Sequence, residues 1–179
     1  MLHGTFFSLQ NWYNPKYMQQ DPYIRPNWDE YFLNLLEPIG ARATCNRGRS
    51  GSVIVSPDHT ILATGYVGSP PGQPHCDEVG HLMKTVTHED GHQSQHCMRT
   101  LHAEENAILQ AAKEGIKIEG ATIYSKMVPC YNCAMRICRV GLKRLVAKKR
   151  YHADGSSMEL FKSAGAEVYV VDNTVEEYK

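Results

Sequence analysis

The chain has 179 residues, which suits one domain with a full hydrophobic core and is too short for two independent ones. Lys plus Arg, 19 in all, balance 19 Asp plus Glu, so net charge indicates neither a polyanion-coating surface nor a basic tail, and phosphate recognition must be local. The first residues, Met-Leu-His-Gly-Thr-Phe-Phe, carry neither a basic leader nor an apolar run before a small-residue cleavage site, and no stretch is apolar enough to cross a bilayer, so a cytoplasmic protein with no membrane partner is expected. In that compartment the 6 cysteines read as metal ligands or reduced core thiols rather than disulfides.

Residues 1 to 26 are rich in Asn, Gln, Pro and aromatics without a steady period. They read as an irregular arm that packs on the domain or on a neighbouring subunit, with one domain following over 27 to 179. Asn27 as N-cap, with Glu30 three residues on, opens a first helix through a capping box. Trp28, Tyr31, Phe32, Leu35, Leu36 and Ile39 recur at helical spacing as its core stripe, and Pro38 should kink it or end it early. After a small basic loop, Thr44 to Ser50, the β-rich runs Ser52 to Val55 and Ile61 to Thr64 flank Pro57-Asp58-His59 and form a hairpin. The Gly/Pro-rich loop from Gly65 to Gly72 follows, at a strand end where a ligand can approach backbone closely.

Residues 73 to 101 are the least regular part and concentrate His75, Cys76, His81, His88, His92, His96 and Cys97. A loop this long inside a compact domain is functional or held by something, and a metal would hold it. A helix then runs from His102 to about Glu114, with Ala103, Ala107, Ile108, Ala111 and Ala112 toward the core and Gly115 as terminator. Ala121 to Ser125 is a strand. Pro129 opens the next helix at the position where proline is favoured, and Gly141 closes it. Leu142 to Ala147 (strand), Met158 to Ala164 (helix) and Glu167 to Val171 (strand) complete an α/β layered domain, helices on both faces of one sheet.

The chemistry centres on His102-Ala103-Glu104 and Pro129-Cys130-Tyr131-Asn132-Cys133. Cys130 and Cys133 lie three apart, on one face at a helix start, where the helix end favours their thiolates. With His102 they make three zinc ligands, leaving a fourth position for water that the metal acidifies to about neutrality. Glu104 does not bind the metal but takes the proton from that water. The competing reading is a zinc-stabilised loop that only folds the chain. Structural sites, however, normally close all four positions with Cys or His, and H-x-E followed by P-C-x-x-C is the pattern of zinc base deaminases.

These motifs, with Trp28 to Phe32, Thr44-Cys45 and Gly65-Tyr66-Val67-Gly68-Ser69-Pro70, resemble the deoxycytidylate deaminases of the cytidine-deaminase-like superfamily from about residue 27 to 171. The resemblance implies a three-layer α/β/α fold on a five-stranded mixed sheet, making 27 to 179 a zinc-dependent deaminase domain. It further implies hydrolysis of dCMP to dUMP and ammonia, feeding thymidylate synthesis, in a homohexamer regulated by dCTP and dTTP. A Mg2+ ion would accompany such a triphosphate effector. Carried over by position, His102, Cys130 and Cys133 bind zinc, and Glu104 shuttles protons to N3 and the leaving amine. Tyr66, Val67, Gly68, Ala103, Asn106, Lys113 and Tyr151 are candidates for contact with substrate or effector. The family's turn usually reads Gly-Tyr-Asn-Gly, and Val67 can make no side-chain hydrogen bond in place of the asparagine. Ser50 also stands where the family usually has an apolar residue.

Some members of that family carry a second, structural zinc in the loop region; here Cys45, Cys76 and Cys97 with His96 are the candidates. Adjacent His96 and Cys97 are a demanding pair, so His92 or His75 is the substitute, while His81, His88 and His3 read as surface residues and Cys138 as packing. Arg47 and Arg49 are the candidates for a phosphate, beside the alternative of a solvated basic turn. Other readings stay open: dCTP, a modified cytosine nucleotide or a base in nucleic acid as substrate, or a zinc-stabilised module that only binds nucleotide. The neutral charge balance argues against a nucleic-acid partner.

Overall fold

In a computed structural model that describes residues 23–87 and 93–176, one mixed sheet carries the domain. The structural expectations for 1 to 22, and those for His88, His92 and His3, lie outside the described residues. Helix α1 spans Trp28–Gly40, capped by Asn27 and Glu30 in the expected reciprocal box, with both bonds at 2.8 to 2.9 Å. The helix passes Pro38 rather than ending early. Proline there deprives only the Asn34 carbonyl of its helical partner, and Asn34 is exposed to water. Its buried face is Phe32, Leu33, Leu36 and Gly40. Trp28 and Tyr31 stand at the rim, Trp28 stacked on His59 of the hairpin turn at 4.3 Å.

Strands β1 (Gly51–Val55) and β2 (Ile61–Tyr66) form the expected hairpin, with His59 in the left-handed region at the turn. The stretch read as irregular instead holds a short helix, α2 (Cys76–Val79), and an antiparallel ribbon of β3 (Met83–Thr87) and β4 (Gln93–Cys97). Helix α3 spans Ala103–Lys113, and Gly115 follows it at φ 67 as its terminator; Ala112 is exposed, not core. Strand β5 (Thr122–Met127), helix α4 (Tyr131–Arg139), strand β6 (Arg144–Tyr151), helix α5 (Gly155–Ser163) and strand β7 (Glu167–Glu176) complete the order. Pro129 lies outside α4, just before its N-cap Cys130. Both β6 and β7 run further than their apolar residues alone suggest, because parallel pairing continues to Tyr151 and Glu176.

The sheet order is β2-β1-β5-β6-β7, antiparallel at β2/β1 and β1/β5 and parallel from β5 to β7. Strand alternation splits the core into two layers. Val53, Val55, Tyr124 and Val146 face α1, whereas Ile54, Ile123, Leu145 and Ala147 face α3, α4 and α5, which gives the three-layer α/β/α architecture. Since β1 is antiparallel to both β2 and β5, those two strands run the same way. Their carboxyl ends therefore emerge on one edge of the sheet, beneath the starts of α3 and α4. Openings at strand carboxyl ends are where ligands bind in such sheets.

One polar network ties α1 to the sheet: Arg144 makes two 2.8 Å bonds to Asp29, which also accepts from the Tyr124 hydroxyl at 2.8 Å. The Arg144 bonds, opposed by burial and aided by Tyr124, hold the Asp29 carboxyl below the ordinary aspartate range. A carboxyl that titrates lower folded than unfolded stabilises above its unfolded value and loses that contribution as pH falls through the folded one. Asp29→Asn is therefore expected to cost about 1–3 kcal/mol at pH 7. Urea melts at descending pH should show this gap closing on the acid side; a gap independent of pH would rule out the carboxylate charge as its source.

Candidate active site

His102 is the N-cap of α3 and Cys130 the N-cap of α4, both in extended backbone, with Cys133 in α4's first turn. The donors thus occupy two helix starts, where partial positive charge favours anionic sulfur. The His102 Nδ1 lies 3.5 Å from the Cys130 Sγ and 3.4 Å from the Cys133 Sγ. Tetrahedral zinc with ordinary Zn–S and Zn–N lengths sets a sulfur–nitrogen edge of about 3.6 Å. The set fits the ion, through Nδ1, and one side remains open: His102 is exposed and Cys130 half-buried. Hydrogen bonds from Cys133 and then His102, against burial, pull the Cys130 thiol down to about 4. The bond to Cys130 in turn carries the His102 imidazole up to about 9. Cys133 is pushed far up, first by its bond to Cys130 and then by burial. Two thiols and an imidazole this close compete for protons, a contest that a cation resolves by taking all three lone pairs.

Glu104 is 8% exposed and is not among the three donors. Burial raises its carboxyl, with the His102 charge the largest opposing effect. Glu105 on the next position pairs with Arg136 of α4 at 3.1 Å, bracing the two helix starts against each other. Tyr151 is half-buried; burial raises its phenol, and the nearby Cys130 charge adds to the rise.

The turn after β2 is fastened to the same helix start. Asn106 donates through Nδ2 to the Tyr66 carbonyl at 2.7 Å and the Gly68 carbonyl at 3.5 Å. Gly65 lies against α3 so closely that a Cβ there would sit 2.2 Å from the Ala103 carbonyl oxygen and 2.3 Å from the Ala107 nitrogen. Val67 is buried with Ala43, Cys45, Cys76 and Ala103. Tyr66 is partly exposed and lines a groove of about 480 Å³ at the β2 edge, together with Ile61, Gln110 and Ile116.

Other candidates lie elsewhere. Lys113 is at the far end of α3, a rise of roughly 16 Å from His102, exposed and paired with Glu114 at 3.8 Å. Arg49 donates to the Ala43 carbonyl at 2.8 Å and to Asp77 at 3.4 Å, and Arg47 donates to the Gln95 carbonyl at 3.2 Å. Both arginines bind the 43 to 50 loop to α2 and β4.

Cys45, Cys76, His81 and Cys97 form a second donor set, all four ligand atoms within 4.8 Å of one another. The Cys45 Sγ is 3.6 Å from the His81 Nδ1, and the Cys76 and Cys97 sulfurs are 3.5 Å apart. His81 thus stands where His96 was expected. Successive residues of a strand point to opposite sides, so with Cys97 turned toward the set His96 is turned away. The missed signal is the short spacing Cys76-x-x-x-x-His81. Burial pushes Cys76 up to about 12, with Cys97 and Cys45 adding. Cys97 resists its own burial and falls to about 6 through bonds from the Arg99 N–H and His81.

Residues 26–149 match the family described as the cytidine and deoxycytidylate deaminase zinc-binding region. The chain is 37% identical over 148 residues to ComE operon protein 2 of Bacillus subtilis, covering 83% of this chain and 73% of that protein. It is 33% identical over 145 residues to deoxycytidylate deaminase of Schizosaccharomyces pombe, covering 81% of this chain but only 44% of the yeast protein's length. The crystal structure of dCMP deaminase from the cyanophage S-TIM5 in complex with dCMP and dUMP matches with a TM-score of 0.64 at 27% identity, over 83% of this chain and 99% of that one. Among the described residues no helix is long and apolar enough to cross a membrane. The chain belongs to the cytidine and deoxycytidylate deaminases, a family of zinc-dependent hydrolases.

Proposed function

We propose that the chain hydrolyses dCMP to dUMP and ammonia. The observation that carries this reading is a two-thiol, one-imidazole donor set with an open side, next to a buried carboxylate outside the set. Relatives named deoxycytidylate deaminase and the cyanophage enzyme held with dCMP and dUMP support the choice of nucleotide. When bound by His102, Cys130 and Cys133, zinc acidifies water at its open position. Glu104 takes that proton, delivers it to ring N3 and carries a second one to the departing 4-amino nitrogen, while oxygen is gained at C4. Burial suits it to the task, since a carboxyl with raised proton affinity can hold a proton between two transfers. Asn106 and Gly65 hold the neighbouring turn against α3, and Tyr151 stands beside Cys130.

The product would feed thymidylate synthesis, and dCTP and dTTP, with Mg2+, would act as effectors of a homohexamer. Lys113, at the end of α3 remote from the donors, suits an effector better than the substrate. Val67 keeps one further reading in play, a different cytosine nucleotide such as dCTP or a modified dCMP, because its buried side chain cannot make the nucleotide contact of the family's usual asparagine. Ammonia release from cytidine, deoxycytidine, CMP, dCMP, dCTP and single-stranded DNA, with and without dCTP and dTTP, tests the substrate and the two effectors. Preference for dCMP is the expected result, and preference for any other member of the panel overturns it. The second donor set, with three sulfurs and one nitrogen, has the closed composition of a structural zinc site. Elemental analysis is expected to find two zinc ions per chain; one would reduce Cys45, Cys76 and Cys97 to packing thiols.

A further inference from the structure

We propose that the Cys45–Cys76–His81–Cys97 site is the prop that holds the catalytic turn His102–Glu104 in place, so that the two metal sites are coupled. This rests on reading that donor set as a zinc site. Ala103, between the zinc donor and the proton carrier, is 1% exposed and packs in one cluster with Cys45, Cys76, Val67 and Ala43, with Cys97 against its edge. Behind the catalytic turn there is therefore a thiol site whose apolar partners in the cluster are small. A continuous run of backbone bonds makes the same connection. The Asp77 N–H, next to Cys76, donates to the Thr44 carbonyl; the Thr44 N–H, next to Cys45, donates to the Val67 carbonyl; Gly68 and Leu101 exchange two bonds, and Leu101 precedes His102.

The segments that meet here come from five separate stretches: the loop after α1, the turn after β2, α2 with its following residues, the end of β4 and the start of α3. Ala43, Val67 and Ala103 bring little apolar surface to hold them together, and small residues contribute little by burial. An ion that fixes four donors from three of these stretches supplies what the packing lacks. Losing it leaves the Val67–Gly68 turn tied only from the α3 and Ser50 sides, so Leu101 and His102 lose support on the other side and the catalytic donor set loosens although none of its members has been touched.

The test uses the zinc-loaded full chain and reads zinc release to a chromophoric chelator beside steady-state kinetics. The catalytic release phase is assigned as the one absent from Cys133→Ser. In His81→Ala the zinc content is expected to fall from two to one, catalytic-phase release to quicken about ten-fold, and kcat to fall about as much with KM little changed, as when groups supporting metal ligands are removed. Val67→Ala keeps all four donors and opens a gap against the cluster. It should retain both ions yet release the catalytic one faster, and it carries the test if His81→Ala does not fold. Faster catalytic release in either variant, at unchanged circular dichroism, supports the coupling. Unchanged release in both overturns it while leaving the second zinc site standing, and a wild-type chain with one zinc overturns both.

Discussion

Glu104→Ala is expected to lower kcat by about ten-thousand-fold, the upper end of what one positioned proton-transfer group supplies, with the zinc content unchanged. The carboxylate is buried at the second position of α3 and lies outside the donor set, so its removal leaves His102, Cys130 and Cys133 as they are. Among the described residues no neighbour stands ready to replace it: the three donors would be taken up by the metal, and Glu105 is held by Arg136 at 3.1 Å. Glu104→Gln separates charge from volume, because it fills the same space and cannot carry a proton; it should be as inactive as the alanine variant. Ammonia release paired with elemental analysis checks both variants. Activity within ten-fold of wild type would sink the proton-carrier role, and loss of zinc together with activity would make Glu104 a ligand. Tight dCMP binding without turnover in the wild type would instead mark a nucleotide-binding module.

The convergence of His102, Cys130 and Cys133 was legible in the sequence because each half of the candidate site is local. His102 and Glu104 share one helix start, and Cys130 and Cys133 another, so short spacings already specify which groups meet. The fold class was legible for a similar reason: apolar strand runs alternate with capped helices, and the Asn27/Glu30 box appears as expected. The ribbon of β3 and β4 was hidden because Met-Lys-Thr-Val-Thr is almost wholly exposed and neither it nor Gln-Ser-Gln-His-Cys shows apolar alternation. With the ribbon unseen, the adjacency of His96 and Cys97 points only to His92 or His75 as a substitute, whereas the fold brings His81 to the set. The phosphate candidates Arg47 and Arg49 rested on charge alone, and their partners, Gln95 and Asp77, lie far along the chain. Val67 shows the same limit. Its departure from the family's usual asparagine is visible in the sequence, but its burial against Cys45, Cys76 and Ala103 depends on contacts between remote segments.

Gly65→Ala is expected to reduce kcat about a hundred-fold, more than any change outside the zinc donors and Glu104. In the sequence this glycine looks like one more loop residue, yet its open side faces the backbone of α3. An added Cβ would meet the Ala103 carbonyl oxygen at 2.2 Å, the Ala107 nitrogen at 2.3 Å and the Asn106 carbonyl carbon at 2.9 Å. Ordinary contact needs roughly 1 Å more, and every atom involved is backbone, so no side chain can swing away. Either the end of β2 or the first turn of α3 must retreat. Because that turn carries Glu104 and adjoins His102, displacement of about 1 Å misplaces the proton carrier relative to the metal, an error that costs about two orders of magnitude in rate. The Asn106 bond to the Tyr66 carbonyl, 2.7 Å in the wild type, should lengthen or break in the same movement. Gly115→Ala is the control. There the backbone sits at φ 67 with nothing within 4 Å of an added Cβ, so the penalty is left-handed strain of about 1–2 kcal/mol in stability. Per folded molecule its kcat should match wild type. If Gly65→Ala retains wild-type kcat while only its melting temperature falls, the contact between the turn and α3 is packing alone and does not align the catalytic groups.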